Sequence, residues 1–193
     1  LRGGARTYFG QNDLWRLEGY TAYGFTDKKF KYGVSGKFLL DRKNRLIVSG
    51  GNRRDIEQLG LSLTSTNDVM GRSIASSSLV TVGSNDRLTS INLSTLNFEM
   101  EPVKNFRIDI GGSFRTLSSA LPEAFSLDYV DPASPSGISS EIKQFDLNTT
   151  LIYTPGKRTI GYGVERSNIN DDYSTLVLKY TKGVDGFLES DFD

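Results

Sequence analysis

The chain has 193 residues, and its 23 Lys and Arg balance its 23 Asp and Glu, so no net charge draws it to a nucleic acid. It contains neither Cys nor His, which excludes disulfides, thiolate chemistry and the commonest general base and metal ligand. Only 37% of the residues are hydrophobic, and no apolar run reaches the roughly 18 residues that a membrane-spanning helix needs.

Four alternating segments separated by turn residues open the chain. The predicted strands are 1–9, 15–25, 29–40 and Arg45 to about Arg53. Apolar residues occupy every second position in the two longer segments, as expected of strands that expose one oily and one polar face. The predicted turns contain Asn or Asp, which favour tight turns, and lie at 11–13, 26–28 and 41–44.

A long segment over 54–88 has weak periodicity and is rich in Ser, Thr and Asn, so we expect an extended loop. The alternation resumes over 89–100 but changes phase, because Ile91 and Leu93 lie at odd positions whereas Phe98 lies at an even one. A β-bulge near residues 94–95 would restore the facing of this strand.

The second half of the chain continues the pattern and contains the clearest alternation, over 106–115. A second long loop is predicted over 117–140, where several prolines lie. The remaining strands are predicted at about 144–153, 158–166, 173–182 and from Phe187 onward. The remaining short turns are predicted at 101–104, 155–157 and 183–186. This gives about ten strands and no helix.

We predict an all-β fold, an antiparallel up-and-down transmembrane β-barrel, with residues 1–193 forming one fragment of a larger barrel. The short turns would lie at one end of the strands and the two long loops at the other, which is typical of outer-membrane barrels. Aromatic residues near strand ends, such as Trp15 and Tyr153, are placed to form interfacial girdles. The chain begins and ends in alternating segments with no signal peptide, so we expect a fragment.

The alternation assigns each side chain to one of the two faces of the barrel wall. The charged residues predicted to face the lumen are Arg16, Glu18, Lys31, Lys37, Arg107, Asp109, Arg115 and Asp146, with Glu165 on the same side. The residues predicted to face lipid are Trp15, Tyr23, Phe30, Phe38, Phe106, Ile108, Ile110, Phe114, Leu147 and Leu151. The charged set would line a pore or a polar site, or fill the lumen with paired charges. We favour the second interpretation, because mixed signs allow pairing and unpaired charge is costly away from water.

Two segments, 19–33 and Asp55-Ile56-Glu57-Gln58-Leu59-Gly60, resemble the barrel region of a Bacteroidota outer-membrane family. Members of that family carry an N-terminal carboxypeptidase-regulatory-like β-sandwich ahead of a large C-terminal barrel, and the function of the family is unassigned. The resemblance implies a bacterial outer-membrane location and a central piece of the barrel. Neither the N-terminal domain nor the terminal aromatic residue usual in such barrels is found in this sequence.

The functional expectation is a non-enzymatic outer-membrane protein without cofactor or metal, acting as a scaffold, an assembly or export component, or a passage for a small solute. Its expected partners are the lipid bilayer and other outer-membrane or surface proteins, which the two long loops would contact. One alternative is a secreted, soluble β-sandwich that binds glycans through Trp15 and the tyrosines. Another is part of a TonB-dependent transporter barrel, although neither a plug domain nor an energy-coupling box is visible.

Several acidic residues lie outside the alternating faces. Asp55 and Glu57 would contact a partner or, in the interpretation that we prefer, bond to the neighbouring Arg53 and Arg54. Two further clusters contain carboxylates and amides, which calcium can bind, but neither has the spacing of a dedicated calcium loop, so we favour solvated loops. These clusters are Asn168, Asn170, Asp171 and Asp172, and Asp128 with Asp131.

Overall fold

The computed structural model describes residues 1–10, 12–25, 28–58, 88–131 and 134–190, and these residues form one large antiparallel sheet with two small ladders. In chain order the strands are β1 Arg2–Arg6, β2 Trp15–Tyr23, β3 Phe30–Asp41, β4 Leu46–Gln58, β5 Leu88–Val103, β6 Phe106–Ser119, β7 Tyr129–Val130, β8 Ile138–Ser139, β9 Glu141–Tyr153, β10 Thr159–Ile160, β11 Ser167–Asn168 and β12 Leu176–Gly183. A single 3-10 turn, Phe187–Glu189, is the only helical element in this part of the chain. None of its helical structure has the length or hydropathy to cross a membrane.

The large sheet contains eight strands in the order β1-β2-β3-β4-β5-β6-β9-β12, so strands that follow one another along the chain lie side by side. All seven pairings are antiparallel. The two ladders, β7 with β8 and β10 with β11, lie within the connections between the long strands. The meander therefore uses only local connections, as the alternating sequence predicts.

The expectation of about ten strands is wrong in two places. No strand covers 158–166, because residues 154–175 connect β9 to β12 and contain only the short β10–β11 ladder. Gly161 has a φ of +103°, which an extended strand does not accommodate, and it redirects the chain there. The segment at Phe187 is the 3-10 turn and not a strand.

The expected β-bulge near residues 94–95 is also wrong. β5 pairs without interruption with β4 from Leu88 to Glu99 and with β6 from Thr89 to Met100. The register of β5 shifts only between Met100 and Val103, beside the turn into β6. The change of phase in the sequence therefore marks apolar residues that change face, since Ile91 and Leu93 lie on the same face as the charged residues of β4 and β6.

The connections sort onto two ends of the sheet. The turn end carries the β1–β2, β3–β4, β5–β6 and β9–β12 connections, and the loop end carries the β2–β3, β4–β5 and β6–β9 connections. Residues 183–186 follow β12, which finishes opposite Asp146 near the start of β9. They lie at the loop end, which corrects their assignment to the short-turn side.

Both long loops begin later than expected, because β4 extends to Gln58 and β6 to Ser119. The remainder of the first predicted loop, residues 59–87, lies outside the described residues. The second loop spans 120–140, and β7 and β8 form a short ladder inside it.

The sheet curls so that its polar face is concave. Lys29, just before β3, donates from Nζ to the carbonyl oxygen of Ala120, just after β6, at 2.6 Å. Neighbouring strands lie about 4.8 Å apart, so a flat sheet would separate β3 from β6 by about 14 Å, beyond the reach of one lysine side chain. The hydroxyl of Tyr20 on β2 likewise reaches Asp55 on β4. The two edge strands, β1 and β12, each pair with one neighbour.

Candidate functional site

The concave face carries all eight charged residues that the alternation assigns to the lumen. Arg16 and Lys37 are directly opposite each other on β2 and β3, as are Glu18 and Ser35, so their side chains share one face. Arg16, Arg115 and Asp146 are buried, and the other five are partly covered. The concave face therefore shields much of its charge from solvent.

Most of this buried charge is paired. Arg107 lies 3.1 Å from Asp109 on the same strand, and Arg115 on β6 lies 3.6 Å from Asp146 on β9. Lys31 lies 3.9 Å from Asp55. Pairing of opposite signs offsets part of the free energy that burial of each charge costs.

Asp55 and Glu57 both face the concave side. Glu57 forms an ion pair with the guanidinium of Arg53 at 2.9 Å, and both side chains are almost fully buried, 0% and 1% exposed. Asp55 contacts Tyr20 and Lys31 instead of Arg54. The interpretation that these carboxylates bond to neighbouring cations therefore describes Glu57 correctly but names the wrong partner for Asp55.

The loop end of the concave face contains a small apolar cluster. Ile91, Leu93 and Leu117 are completely or almost completely buried, and Ile142 packs against them. These residues lie beside the Arg53–Glu57 pair, because Leu93 is directly opposite Arg53 on the neighbouring strand. The side chains of this cluster and of the ion pair are therefore shielded from solvent at this level of the concave face.

The convex face is mostly apolar and largely exposed, with Arg54 and Lys182 as exposed charges on it near the loop end. All ten residues predicted to face lipid lie on it, as the register pairs Trp15 with Phe38, Tyr23 with Phe30 and Ile108 with Leu151. Phe30 is 59% exposed and Ile110 51%. No second sheet packs on this face within the described ranges, where the long strands contact their neighbours in the sheet.

Aromatic pairs lie at both ends of the convex face. The rings of Phe9 and Trp15 are 5.0 Å apart at the turn end, and those of Tyr23 and Phe25 are 5.7 Å apart at the loop end. Trp15 and Tyr23 begin and end β2, which spans about 27 Å at about 3.4 Å per residue.

A segment that we call the strap, residues 161–166, crosses the concave face at the turn end. The amide of Val164 donates to the carbonyl of Asp13 at 2.7 Å, and Arg45 donates to the carbonyls of Gly163 and Val164. Gly163 has no room for a side chain, because a Cβ there would lie 2.6 Å from the carbonyl oxygen of Asp13. The strap thus joins the β1–β2 connection to the β3–β4 turn.

Three ion pairs hold the end of the strap in place. Glu165 pairs with Arg16 on β2 and accepts two hydrogen bonds from Arg6 on β1, at 2.7 and 2.8 Å. Arg166 pairs with Glu101 near the end of β5. Burial raises the pKa of Glu165, but the hydrogen bond and charge of Arg16 outweigh it, so this pKa lies below its ordinary value of 4.5. The strap therefore links β1 and β2 to β5 across the concave face.

A cavity of about 320 Å³ lies between the strap, the connection after β9 and the concave wall. Basic and acidic side chains from both sides line it: Lys37, Arg45, Glu99, Glu101, Arg107, Lys157, Glu165 and Arg166. Sequence reasoning placed Lys37, Arg107 and Glu165 on the inner side but missed Arg45 and Glu101. Those two lie in or beside predicted turns, where alternation carries no information about facing.

The two acidic loop clusters are held by contacts within their own loops. The side chain of Asn170 accepts the amide of Arg158 and donates to the carbonyl of Gly156, and Asp128 accepts Ser126. The described residues contain no group of three or more side chains that could hold a metal ion.

No family model, curated protein or solved structure matches this chain. Its function is therefore argued from the geometry of the two faces.

Proposed function

We propose that this chain is part of a transmembrane β-barrel in a bacterial outer membrane, related to the Bacteroidota family that segments 19–33 and 55–60 resemble. It has no enzymatic role and serves as a scaffold, as an assembly or export component, or as the wall of a passage for a small solute. The observation that carries the proposal is the inverted burial of the sheet: its charged face is enclosed and its apolar face is exposed.

The inverted burial favours lipid as the environment of the convex face. A sheet in a water-soluble protein covers its apolar side with another layer and leaves its polar side in solvent. Here Arg16 is 4% exposed on one face of β2, whereas Leu17 is 43% exposed on the other. Exposed apolar side chains are stable in contact with acyl chains, because the protein does not need to cover them there.

The dimensions of the strands support the same environment. Seven of the eight strands contain 8 to 16 residues, and a tilted strand needs about 9 to 11 to cross the hydrocarbon core. The aromatic pairs Phe9–Trp15 and Tyr23–Phe25 lie at the two ends of β2, where interfacial girdles are expected.

The packed interior favours a scaffold or assembly role over an open pore through these eight strands. The Arg53–Glu57 pair and the Ile91–Leu93–Leu117 cluster fill the loop end, and the strap crosses the turn end. Passage of a solute would need a wider lumen, which further strands would supply. The long 120–140 connection is the surface that we propose for contact with other outer-membrane or surface proteins.

The outer edges of β1 and β12, which pair with no further strand among the described residues, limit the number of strands in the proposed barrel. In lipid, every backbone donor and acceptor needs a partner within the protein, so both edges must pair. The seven antiparallel pairings make β1 and β12 run in opposite directions. A barrel that keeps the antiparallel alternation therefore closes either directly or with an even number of additional strands.

Detergent dependence and heat-modifiable gel mobility test the proposal. The refolded protein is expected to need detergent or lipid to stay dispersed, and to migrate differently in SDS before and after boiling. The competing hypothesis of a soluble, glycan-binding β-sandwich predicts a protein that stays monodisperse without detergent. That alternative also needs a second packed sheet, which the described part of the chain does not contain.

A further inference from the structure

The cavity under the strap carries an excess of positive charge. Five basic side chains line it, against three carboxylates. Glu101 serves both Arg166 and Arg45, the latter at 3.8 Å, so one carboxylate is shared by two guanidinium groups. Glu165 is committed to Arg6 and Arg16, which lie outside the lining. Glu99, the third carboxylate, lies 4.0 Å from Arg107, so each carboxylate of the cavity has an arginine as its ion-pair partner.

Two lysines that line the cavity, Lys37 and Lys157, have no such ion-pair partner among the described residues. Lys37 lies on β3, in the concave wall, and Lys157 lies in the connection after β9. Within the described residues, no carboxylate lies within 4.0 Å of either ammonium group in an ion pair, and Lys157 has the ring of Tyr173 at 5.4 Å. Both ammonium groups therefore line the same partly closed space without an ion-pair partner, and the charge of Glu165 acts on Lys37 only from a longer distance.

The neighbouring arginines crowd the same space. Burial first, and then the nearby charge of Arg166, lower the pKa of Arg45 below its ordinary value. The positive charge of Arg107 also lowers the pKa of Arg45. An anion placed among these groups would relieve the repulsion between them, and in a partly closed cavity its attraction is less screened than at an open surface.

We propose that the cavity under the strap binds a small anion, a phosphate or a short dicarboxylate, between Lys37 and Lys157. Its volume of about 320 Å³ is at the small end of ligand pockets, which suits a compact anion and excludes a polymer. The inference goes beyond the proposed membrane role and does not depend on it, because the cavity is built from the turn end of the sheet and the strap.

Isothermal titration of the refolded protein at neutral pH and low ionic strength tests the site, with inorganic phosphate in one arm and succinate in the other. We expect saturable binding of one anion per chain in at least one arm. Lys37→Met and Lys157→Met are each expected to weaken it at least fivefold, and the double variant to abolish it. Lys37→Arg keeps the charge and is expected to keep binding, which separates loss of charge from loss of folding.

Lys43→Met is the matched control, because Lys43 lies in the β3–β4 turn at the same end of the sheet but outside the cavity lining. It is expected to bind the anion as the unmodified protein does. Absence of saturable binding in both arms would overturn the proposal, as would unchanged binding in the double lysine variant. A protein that binds phosphate but stays dispersed without detergent would support this site and contradict the membrane role.

Discussion

Tyr20 and Asp55 contact each other across the strand that lies between them. The hydroxyl of Tyr20 donates to Asp55 Oδ2 at 3.4 Å, and the ring lies over Gly33 of β3. A Cβ on Gly33 would lie 2.4 Å from a ring carbon of Tyr20. The curl of the sheet is thus tied to a glycine that lets an aromatic side chain lie flat on the concave wall.

Gly33→Ala is therefore expected to displace the Tyr20 ring and lower the free energy of unfolding by about 1–3 kcal/mol, as overpacking of a buried site does. Urea unfolding of the refolded protein, followed by gel mobility, measures the change. Gly3→Ala is the control, because no heavy atom lies within 4 Å of a Cβ at that position. An equal loss of stability in both variants would show that the effect of Gly33→Ala does not come from displacement of the Tyr20 ring.

The buried pair Arg53–Glu57 makes a second prediction. Removal of one partner leaves a buried charge without compensation, so Glu57→Gln is expected to lower the free energy of unfolding by about 3–5 kcal/mol. The double variant Arg53→Met/Glu57→Leu is expected to be more stable than either single variant, because it buries no charge. The measurement is the same urea titration.

Glu18→Gln provides the comparison on the same face. Glu18 lies 4.0 Å from Arg6, and its side chain is only partly covered, so a loss of at most about 1 kcal/mol is expected. If Glu57→Gln lowered the free energy of unfolding no more than Glu18→Gln does, this would show that water reaches the interior at the loop end.

The strap is expected to loosen in acid. The pKa of Glu165 is depressed in the folded protein, so its contribution is present above its ordinary value of 4.5 and is lost as the pH falls through the lower folded value. A nitroxide attached to a cysteine at Tyr162, in a chain with no native cysteine, is expected to become more mobile as the pH falls through that lower value.

The same label in a Glu165→Gln background is expected to be mobile at every pH, since the amide carries no charge to pair with Arg6 or Arg16. A label at Val130, which is exposed at the loop end, controls for general acid unfolding. Loosening at Tyr162 that is identical with and without Glu165 would assign the transition to another group.

The two faces of β6 give a fourth prediction. Ile110→Arg places a charge on the convex face and is expected to impair insertion by about 2–4 kcal/mol if the residue lies near the bilayer midplane. Arg107→Leu changes the concave face and is expected to be much milder. Folding into lipid vesicles, measured by gel mobility, compares them. Equal tolerance of the two changes would contradict the assignment of the faces.

The alternating pattern predicted the long strands because facing in a strand depends only on parity along the chain. It placed Arg16 and Lys37 on one side and Trp15 and Phe38 on the other, as the register does. It could not place the strap, since contacts such as Val164 with Asp13 join residues far apart in sequence. The 158–166 segment alternates like a strand, but Gly161 turns it away from the sheet.

The alternating pattern also gave a wrong prediction in β5, where apolar residues lie on both faces of the sheet. Ile91 and Leu93 are apolar because they fill the concave interior beside Leu117, whereas Phe98 is apolar because it lies on the convex face. A sequence pattern indicates that a side chain is apolar, but it does not indicate on which face of the sheet that side chain is shielded from water. The change of phase therefore resembled a bulge.

Accessibility of nitroxide labels along β6 in lipid vesicles tests the central claim most directly. Single cysteines at positions 107 to 111 carry the label, and collision rates with oxygen and with a water-soluble nickel chelate are compared. Contact of the convex face with acyl chains predicts high oxygen and low nickel accessibility at Ile108 and Ile110, and the lowest oxygen accessibility at Arg107, Asp109 and Gly111. High nickel accessibility at Ile108 and Ile110, without a period of two, would contradict it.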